Sequence, residues 1–342
     1  MTRRITMFLM KMYSFYTSIF KAKNNFGIHP LKALKMKFKG FTPDHYTLYN
    51  LAENDEKDYI NENERWSTRN INGDYKVVLD DKLLFYEFFH KYITVPKNIF
   101  WVYHNQVLSL NGEQMSDQEL MGKLREFKNI YLKPVVGGGG KGISKITVNG
   151  NYWINDEEVS EEQLLSFIKD NHQFIATPEV KQHPYAAKVF PRSTNTIRIL
   201  TTYRLKDHKV SIPEALHRFG TSETEPVDNV SIGGLFALID LETGRLSEAK
   251  NYKNQTFENH PDSDMPIRGV EVPRWDEIKS KCIEVASHFP YIPYMAWDIV
   301  VTEEGFEVIE INASTGITLF QMWEGKKDQE LGQFFKEQGV ID

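Results

Sequence analysis

The chain has 342 residues, 41% hydrophobic and 26% charged, values typical of a folded globular protein with two or three domains rather than a disordered one. Its single cysteine, Cys282, excludes a disulfide-stapled secreted scaffold and a multi-cysteine zinc site, and no apolar run approaches the ~18 residues of a membrane helix. The net charge of −6 argues against a nucleic-acid partner, and a cytoplasmic location is the simplest interpretation.

The N-terminal stretch differs in charge from the rest of the chain. Residues 1–43 contain nine Lys or Arg and no Asp or Glu. Met7, Met12, Tyr16 and Phe20 recur at helical spacing among these basic residues. We expect a basic, mainly helical extension over residues 1–79. Two interpretations remain open: the helix packs on the protein body, or it rests on an anionic membrane surface through residues 1–40.

The elements that follow alternate between helix and strand up to about residue 180. Capping residues and apolar spacing predict helices over residues 81–92, 116–127 and 160–169. In the first of these, Leu83, Leu84, Phe88 and Phe89 form the expected buried face. Strands are predicted over residues 100–103, 107–110, 129–136, 143–148, 152–154 and 173–177. From residue 196, short apolar runs between turn signals predict a mainly antiparallel sheet, with helices over 274–288 and 328–337.

A glycine-rich loop joins two of the predicted strands. Its residues are Gly137, Gly138, Gly139, Gly140, Lys141 and Gly142. Backbone N–H groups in such a loop can bind phosphate oxygens, and Lys133 on the incoming strand adds positive charge. The spacing is not that of a Walker A loop, and the loop leads into a strand, whereas a Rossmann loop leads into a helix. The alternative is a hairpin tip that is merely flexible.

Acidic residues occupy a predicted hairpin near the C-terminus. Alternation places Val308, Glu310 and Asn312 on one face of its second strand, with Asp298 opposite Glu310 on the first. Two carboxylates at this spacing would repel each other without a cation, and hard oxygen ligands suit Mg²⁺. The pattern therefore predicts a magnesium site, whereas a solvent-exposed polar face would not place Glu310 between isoleucines.

Taken together, these motifs resemble the ATP-grasp superfamily. The resemblance covers about residues 80–322 and includes a strand lysine before a glycine hairpin, followed about 160 residues later by an aspartate and a Glu-x-Asn motif. Further short motifs resemble the sugar-transfer-associated branch. They are Gln182-His183-Pro184, Asn195-Thr196-Ile197-Arg198, Asp228-Asn229 and Gly233-Gly234.

The resemblance implies an α+β fold in which two subdomains grip ATP. Its implied organisation after the N-terminal extension is a helix and hairpin over residues 80–129 that lead into the core. A small subdomain with the glycine loop would cover 130–185, and a C-terminal subdomain with the Mg²⁺ site would cover 186–342.

The resemblance also assigns roles. Lys82, Lys133 and the glycine loop would contact the nucleotide phosphates. The segment after the 173–177 strand would bind adenine and ribose, with Glu179, Val180, Gln182 and His183 as candidates. Asp298, Glu310 and Asn312 would hold Mg²⁺, and Arg198, Lys133 and Asn195 would act in catalysis. Related amide ligases carry an arginine just before the first metal aspartate, where this chain has Ala296-Trp297. Arg198 would supply that charge from an adjacent strand, unless it forms only a salt bridge on a sheet face.

The implied activity is an ATP-dependent carboxylate–amine ligase, with ATP and Mg²⁺ as cofactors. Its expected partners are a small molecule or polysaccharide bearing a carboxylate, and an amine, as in attachment of an amino acid to an acidic sugar. A kinase and a non-catalytic ATP-binding protein remain alternatives. Candidates for the substrate pocket are His183, Asn195, Asn229, His260 and Arg268.

Overall fold

A computed structural model describes residues 12–13 and 15–341. After a π-helical segment at Phe15–Phe20, the α-helices are α1 (Pro30–Phe38), α2 (His45–Leu48), α3 (Glu62–Ser67), α4 (Val77–Asp80), α5 (Lys82–Phe89), α6 (Asp117–Phe127), α7 (Glu161–Asp170), α8 (Pro184–Ala187), α9 (Trp275–Ser287) and α10 (Glu330–Glu337). The first seven strands are β1 (Phe100–Tyr103), β2 (Gln106–Leu108), β3 (Asn129–Pro134), β4 (Ser144–Val148), β5 (Tyr152–Ile154), β6 (Glu157–Val159) and β7 (Phe174–Pro178). The others are β8 (Ile197–Arg204), β9 (Lys209–Phe219), β10 (Leu235–Ile239), β11 (Leu246–Lys250), β12 (Thr256–Phe257), β13 (Tyr294–Val301) and β14 (Phe306–Asn312).

The first sheet has seven antiparallel strands in the order β2-β1-β7-β3-β4-β5-β6. It takes strands from both the 80–129 and the 130–185 segments. Helices α6 and α7 cover it and contribute Leu120, Leu124, Leu164 and Ile168 to its core. Both helices begin with the expected capping boxes, in which the serine oxygen accepts the backbone N–H of the third helical residue and the side-chain oxygen of that residue accepts the serine N–H.

The second sheet is also antiparallel and has the order β12-β11-β10-β9-β8-β13-β14. Because side chains alternate along a strand, Ile199 and Leu200 of β8 enter different cores on the two faces. Helix α9 packs on the Ile199 side. Helix α10 and the N-terminal extension, through Met36 and Tyr49, pack on the Leu200 side. The expected α+β class is confirmed.

The structure corrects the predicted buried face of α5 and covers only part of the predicted N-terminal helix. Helix α5 buries Phe85 and Phe89, whereas Leu84 and Phe88 of the predicted face are exposed. The buried pair has i, i+4 spacing, which a strongly apolar helix does not reveal by pattern alone. The predicted N-terminal helix lies partly in residues 1–11 and 14, outside the described residues. Every helix within the described part of the chain is too short or too polar to cross a membrane.

Candidate active site

A cleft of about 360 Å³ lies between the two sheets. Strand β3, the glycine loop and the residues after β7 line one side, and strands β8, β9, β13 and β14 line the other. The side chains that matter for its chemistry are Lys82, Lys133, Arg198, Arg218, Asp228, Asp298, Glu310 and Asn312. The structure thus brings both predicted lysines and all three predicted metal ligands to one cavity.

The charged residues lie at one end of a face of the second sheet, and the other end of that face is apolar. Asp298 pairs with Arg198 of β8 and with Glu310 of β14, and the neighbouring pair Ala296–Leu200 already belongs to the core. One sheet face therefore passes from packed hydrophobic side chains to the cleft within two residues. The predicted Asp298–Glu310 pairing is confirmed.

A β-bulge in β14 changes part of the expected alternation. Asp298 pairs with Glu310 but Ile299 pairs with Val308, so Ile309 is the extra residue. Val308 is consequently buried in the core with Ile299, and the prediction that it shares the Glu310 face is wrong. The bulge turns Ile309 towards the cleft beside Glu310.

Asp298 lies at the centre of the charged cluster and is 2% exposed. Arg198 donates two hydrogen bonds to its carboxylate, one of them with Nη2 2.7 Å from Oδ2, and a third to the Thr315 hydroxyl. Arg218 reaches it from β9, the strand beyond β8, with its Nη2 3.3 Å from Asp298 Oδ2. Burial raises the pKa of Asp298, but Arg198 and Arg218 outweigh it and hold that pKa well below its usual range.

Arg218 is a cleft residue that the sequence reasoning missed. Its Nε donates to the Thr196 hydroxyl at 3.0 Å and lies 3.4 Å from Asp228 Oδ2. The Thr196 N–H and hydroxyl both donate to that same Asp228 oxygen. A continuous polar network along the cleft therefore connects Asp228, Thr196 and Arg218. The available signal was a charged residue inside the apolar run of β9, spaced to share a face with Leu216.

Glu310 lies in an environment that disfavours its charged form. Burial and the neighbouring Asp298 carboxylate both raise its pKa, and Asn312 Nδ2 donates to Glu310 Oε1 at 3.2 Å. Among the described residues there is no group of three or more His, Cys, Asp or Glu side chains placed to hold a metal. The donor set here is two carboxylates and an amide oxygen, which fits Mg²⁺ because this ion keeps water and phosphate ligands as well.

Two lysines face the acidic cluster from the other side of the cleft. Burial lowers the pKa of Lys133 to about 8, an effect opposed by Glu310 and increased by Lys82. Lys82 begins α5, where Asp81 caps the helix by accepting from Leu83 N and Leu84 N. Its Nζ donates to the Gly137 carbonyl at 3.0 Å and so reaches the start of the glycine loop. Both lysines are placed to meet an anion that enters the cleft.

The glycine loop contacts the second half of the protein. Asn229 Nδ2 donates to the Gly139 carbonyl at 2.9 Å, and a side chain at Gly140 would come within 3.2 Å of Val227. Gly139 and Gly140 line the cleft. Next to the loop, apolar surface from Tyr131, Ile143, Val180 and Ile309 forms a slot suited to a flat ring. The loop therefore covers one end of the cavity.

Several predicted residues make contacts elsewhere. Glu179 pairs with Lys145 at 2.9 Å, and Gln182 Oε1 accepts from the Asn195 backbone and side chain. His183 Nδ1 accepts from Tyr185 N at the start of α8, and Asn195 is buried and also bonded to the Ala186, Phe190 and Gly220 backbone. These side chains stabilise the segment that connects the two sheets.

Two candidates for the substrate pocket also lie apart from the cleft lining. His260 is buried and bonded to the Gly220 carbonyl, and exposed Arg268 pairs with Glu258. Only Asn229, of the five candidates, lines the cleft among the described residues.

Comparison with known proteins gives one family match. Residues 61–331 match the family described as sugar-transfer associated ATP-grasp. No curated protein matches the chain.

Solved structures similar to the chain share little sequence with it. They include the ATP-grasp ligase PsnB with a minimal precursor (13% identity, TM-score 0.42, 79% of this chain and 63% of that one). Others are D-alanyl-alanine synthetase A from Vibrio cholerae O1 biovar eltor (13%, 0.44, 77% and 66%) and biotin carboxylase with β,γ-ATP from Campylobacter jejuni (9%, 0.47, 78% and 47%). The chain spans less than two thirds of the length of each of these proteins.

Proposed function

Because the chain belongs to the sugar-transfer-associated ATP-grasp family, we propose that it is an ATP-dependent, ADP-forming carboxylate–amine ligase. The observation that carries the proposal is the convergence of Lys82, Lys133 and Arg198 on a cleft that also holds the Asp298–Glu310 pair. Cations on two sides of one cavity suit a nucleotide triphosphate whose terminal phosphate is transferred. No side-chain nucleophile is needed for this chemistry, and Cys282 is buried in α9 away from the cleft.

The proposed reaction has two steps. A substrate carboxylate oxygen attacks the γ-phosphorus of ATP, the bond to the ADP oxygen breaks, and an acyl phosphate forms. An amine then attacks the acyl carbon, phosphate leaves with the bonding electrons, and the amine loses a proton to give the amide. The protein's residues position these groups and screen their charge. Lys133 and Lys82 would hold phosphate oxygens, and Arg198 and Arg218 would stabilise the transferred phosphoryl group and the substrate carboxylate.

Nucleotide and metal would occupy different parts of the cleft. Adenine would lie in the slot between Tyr131, Ile143, Val180 and Ile309, with the glycine loop over the phosphates. Asp298, Glu310 and Asn312 would hold Mg²⁺, which supplies charge neutralisation of the phosphates when bound. Lys145 already neutralises Glu179, so a ribose contact from Glu179 would have to compete with this ion pair.

For the substrates we propose an acidic sugar as the carboxylate and an amino acid or other amine as the acceptor, in assembly of a surface polysaccharide. The family description, which links the fold to sugar transfer, supports this choice. A cytoplasmic protein at the inner face of the membrane would meet such substrates.

The experiment is a screen for ADP release with uronic acids crossed against amino acids. ADP formation that requires both an acid and an amine supports the ligase. ADP formation with an acceptor but no amine would indicate a kinase, and tight ATP binding without turnover would indicate a non-catalytic protein.

A further inference from the structure

Helix α1 presents apolar side chains on the side that faces away from the protein. Ala33 and Met36 are its buried residues and fix its inner face. Leu31 and Phe38, on the opposite side, are 73% and 74% exposed, and Leu34 between them is 44% exposed. The outer face of a helix on a globular protein is normally polar. Here it consists of Leu31, Leu34, Lys35 and Phe38, which we call the outer face of α1.

Positive charge surrounds this outer face. Lys32 and Lys35 are exposed on α1 itself, and Lys39, which follows it directly, pairs with Glu56. Residues 1–43 contain no Asp or Glu, so Lys32 and Lys35 have no acidic neighbour within their own segment. An apolar stripe between lysines is the arrangement of helices that lie in the interface of an anionic bilayer, where the long lysine stems keep their charged ends among the headgroups.

The preceding segment extends the same surface. Lys37 Nζ donates to the Phe20 carbonyl at 2.7 Å and to the Ala22 carbonyl at 3.2 Å, so it ties residues 15–22 to α1. The rings of Tyr16 and Phe20 stack with centroids 6.1 Å apart, and both side chains are more than half exposed. Lys21 lies over the Tyr16 ring. Aromatic rings beside lysines are typical of the headgroup region.

We propose that the outer face of α1, with its surrounding lysines, docks on an anionic lipid surface. The charge decides between occupants, because a second copy of this chain would bring the same exposed lysines, Lys32 and Lys35, together, whereas an anionic leaflet attracts both of them. The proposal rests on this surface and does not depend on the ligase activity.

The test is co-sedimentation of the full chain with vesicles made of equal parts phosphatidylglycerol and phosphatidylcholine. We expect binding at low salt, release as salt rises and the Debye length shrinks, and little binding to pure phosphatidylcholine vesicles. Leu31→Ser together with Leu34→Ser should lower the partition coefficient at least about tenfold. Lys35→Glu should lower it at least about fivefold.

Leu205 and Lys206 provide a matched control, because both are exposed and lie in a hairpin turn of the second sheet. Leu205→Ser with Lys206→Glu should bind vesicles like the unmodified chain. Thermal unfolding and ATP binding should be unchanged in all variants, since the substituted side chains are exposed and outside the cleft.

Three results would overturn the proposal. The first is no binding to the anionic vesicles, and the second is equal loss of binding in the control and the α1 variants. The third is self-association of the chain in sedimentation velocity that the α1 substitutions abolish, which would make the outer face an interface between copies.

Discussion

Arg198 and Asp298 lie opposite each other on β8 and β13, with Arg198 Nη2 2.7 Å from Asp298 Oδ2. The buried carboxylate stays ionised because this guanidinium, with Arg218 behind it, compensates the cost of removing the charge from water. The remaining side of Asp298 faces Glu310. Arg198 therefore keeps the carboxylate of Asp298, one of the proposed metal ligands, charged. It also places an arginine next to this aspartate, although the two preceding residues, Ala296-Trp297, include none.

We predict that Arg198→Gln destabilises the protein by about 3 kcal/mol, because Asp298 would then be a buried carboxylate with only Arg218 as a partner. Urea unfolding without Mg²⁺ measures the change. Asp298→Asn added to Arg198→Gln should recover part of the loss, so that the two effects are not additive. Strict additivity would show that the two residues are not energetically coupled.

A second prediction concerns the metal site. Glu310→Gln should abolish ADP release at saturating Mg²⁺ because it removes one of two charged ligands, while the melting temperature stays the same or rises. The rise is expected because burial and Asp298 both disfavour the charged form of Glu310. Glu307→Gln on the same strand is the control and should remain active. Near-normal ADP release by the Glu310 variant would refute the metal assignment.

Local chemistry explains which features the sequence could predict. Capping boxes, glycine turns and period-two alternation depend on residues that are close together in the sequence. For this reason α6, α7 and the β13–β14 hairpin were predicted close to their observed bounds. The Asp298–Glu310 pairing followed from the hairpin alone. The ATP-grasp resemblance, confirmed by the family match, came from motifs whose combination is specific.

Features that depend on distant contacts were missed or misassigned. Arg218 belongs to none of the motifs, and it becomes a cleft residue only because β9 pairs with β8. The bulge at Ile309 places Val308 in the core and cannot be read from alternation. Asn195 and Gln182 belong to recognisable motifs, and the structure shows their side chains bonded to each other and to the connecting segment; their roles in catalysis and nucleotide binding stay predictions.

A third prediction addresses the nucleotide. Lys133→Ala should weaken ATP binding by about 1–3 kcal/mol, the loss expected when a charge-assisted hydrogen bond to phosphate is removed. Isothermal titration calorimetry measures it directly. Lys123→Ala is the control, because this lysine is exposed on α6 and pairs with Glu126. Unchanged affinity in the Lys133 variant would mean that its ammonium group does not contact the nucleotide.

The glycine loop supplies a matched pair of substitutions. Gly140 has a φ of +73°, and an added Cβ would lie 3.2 Å from Val227, whereas Gly138 has no positive φ and an added Cβ there would meet nothing within 4 Å. Gly140→Ala should therefore cost about 1–2 kcal/mol in the observed loop conformation. If the loop holds the phosphates in that conformation, the KM for ATP should rise about fivefold or more in Gly140→Ala and stay unchanged in Gly138→Ala. Equal kinetics in the two variants would show that the contact between the loop and Val227 has no part in ATP binding.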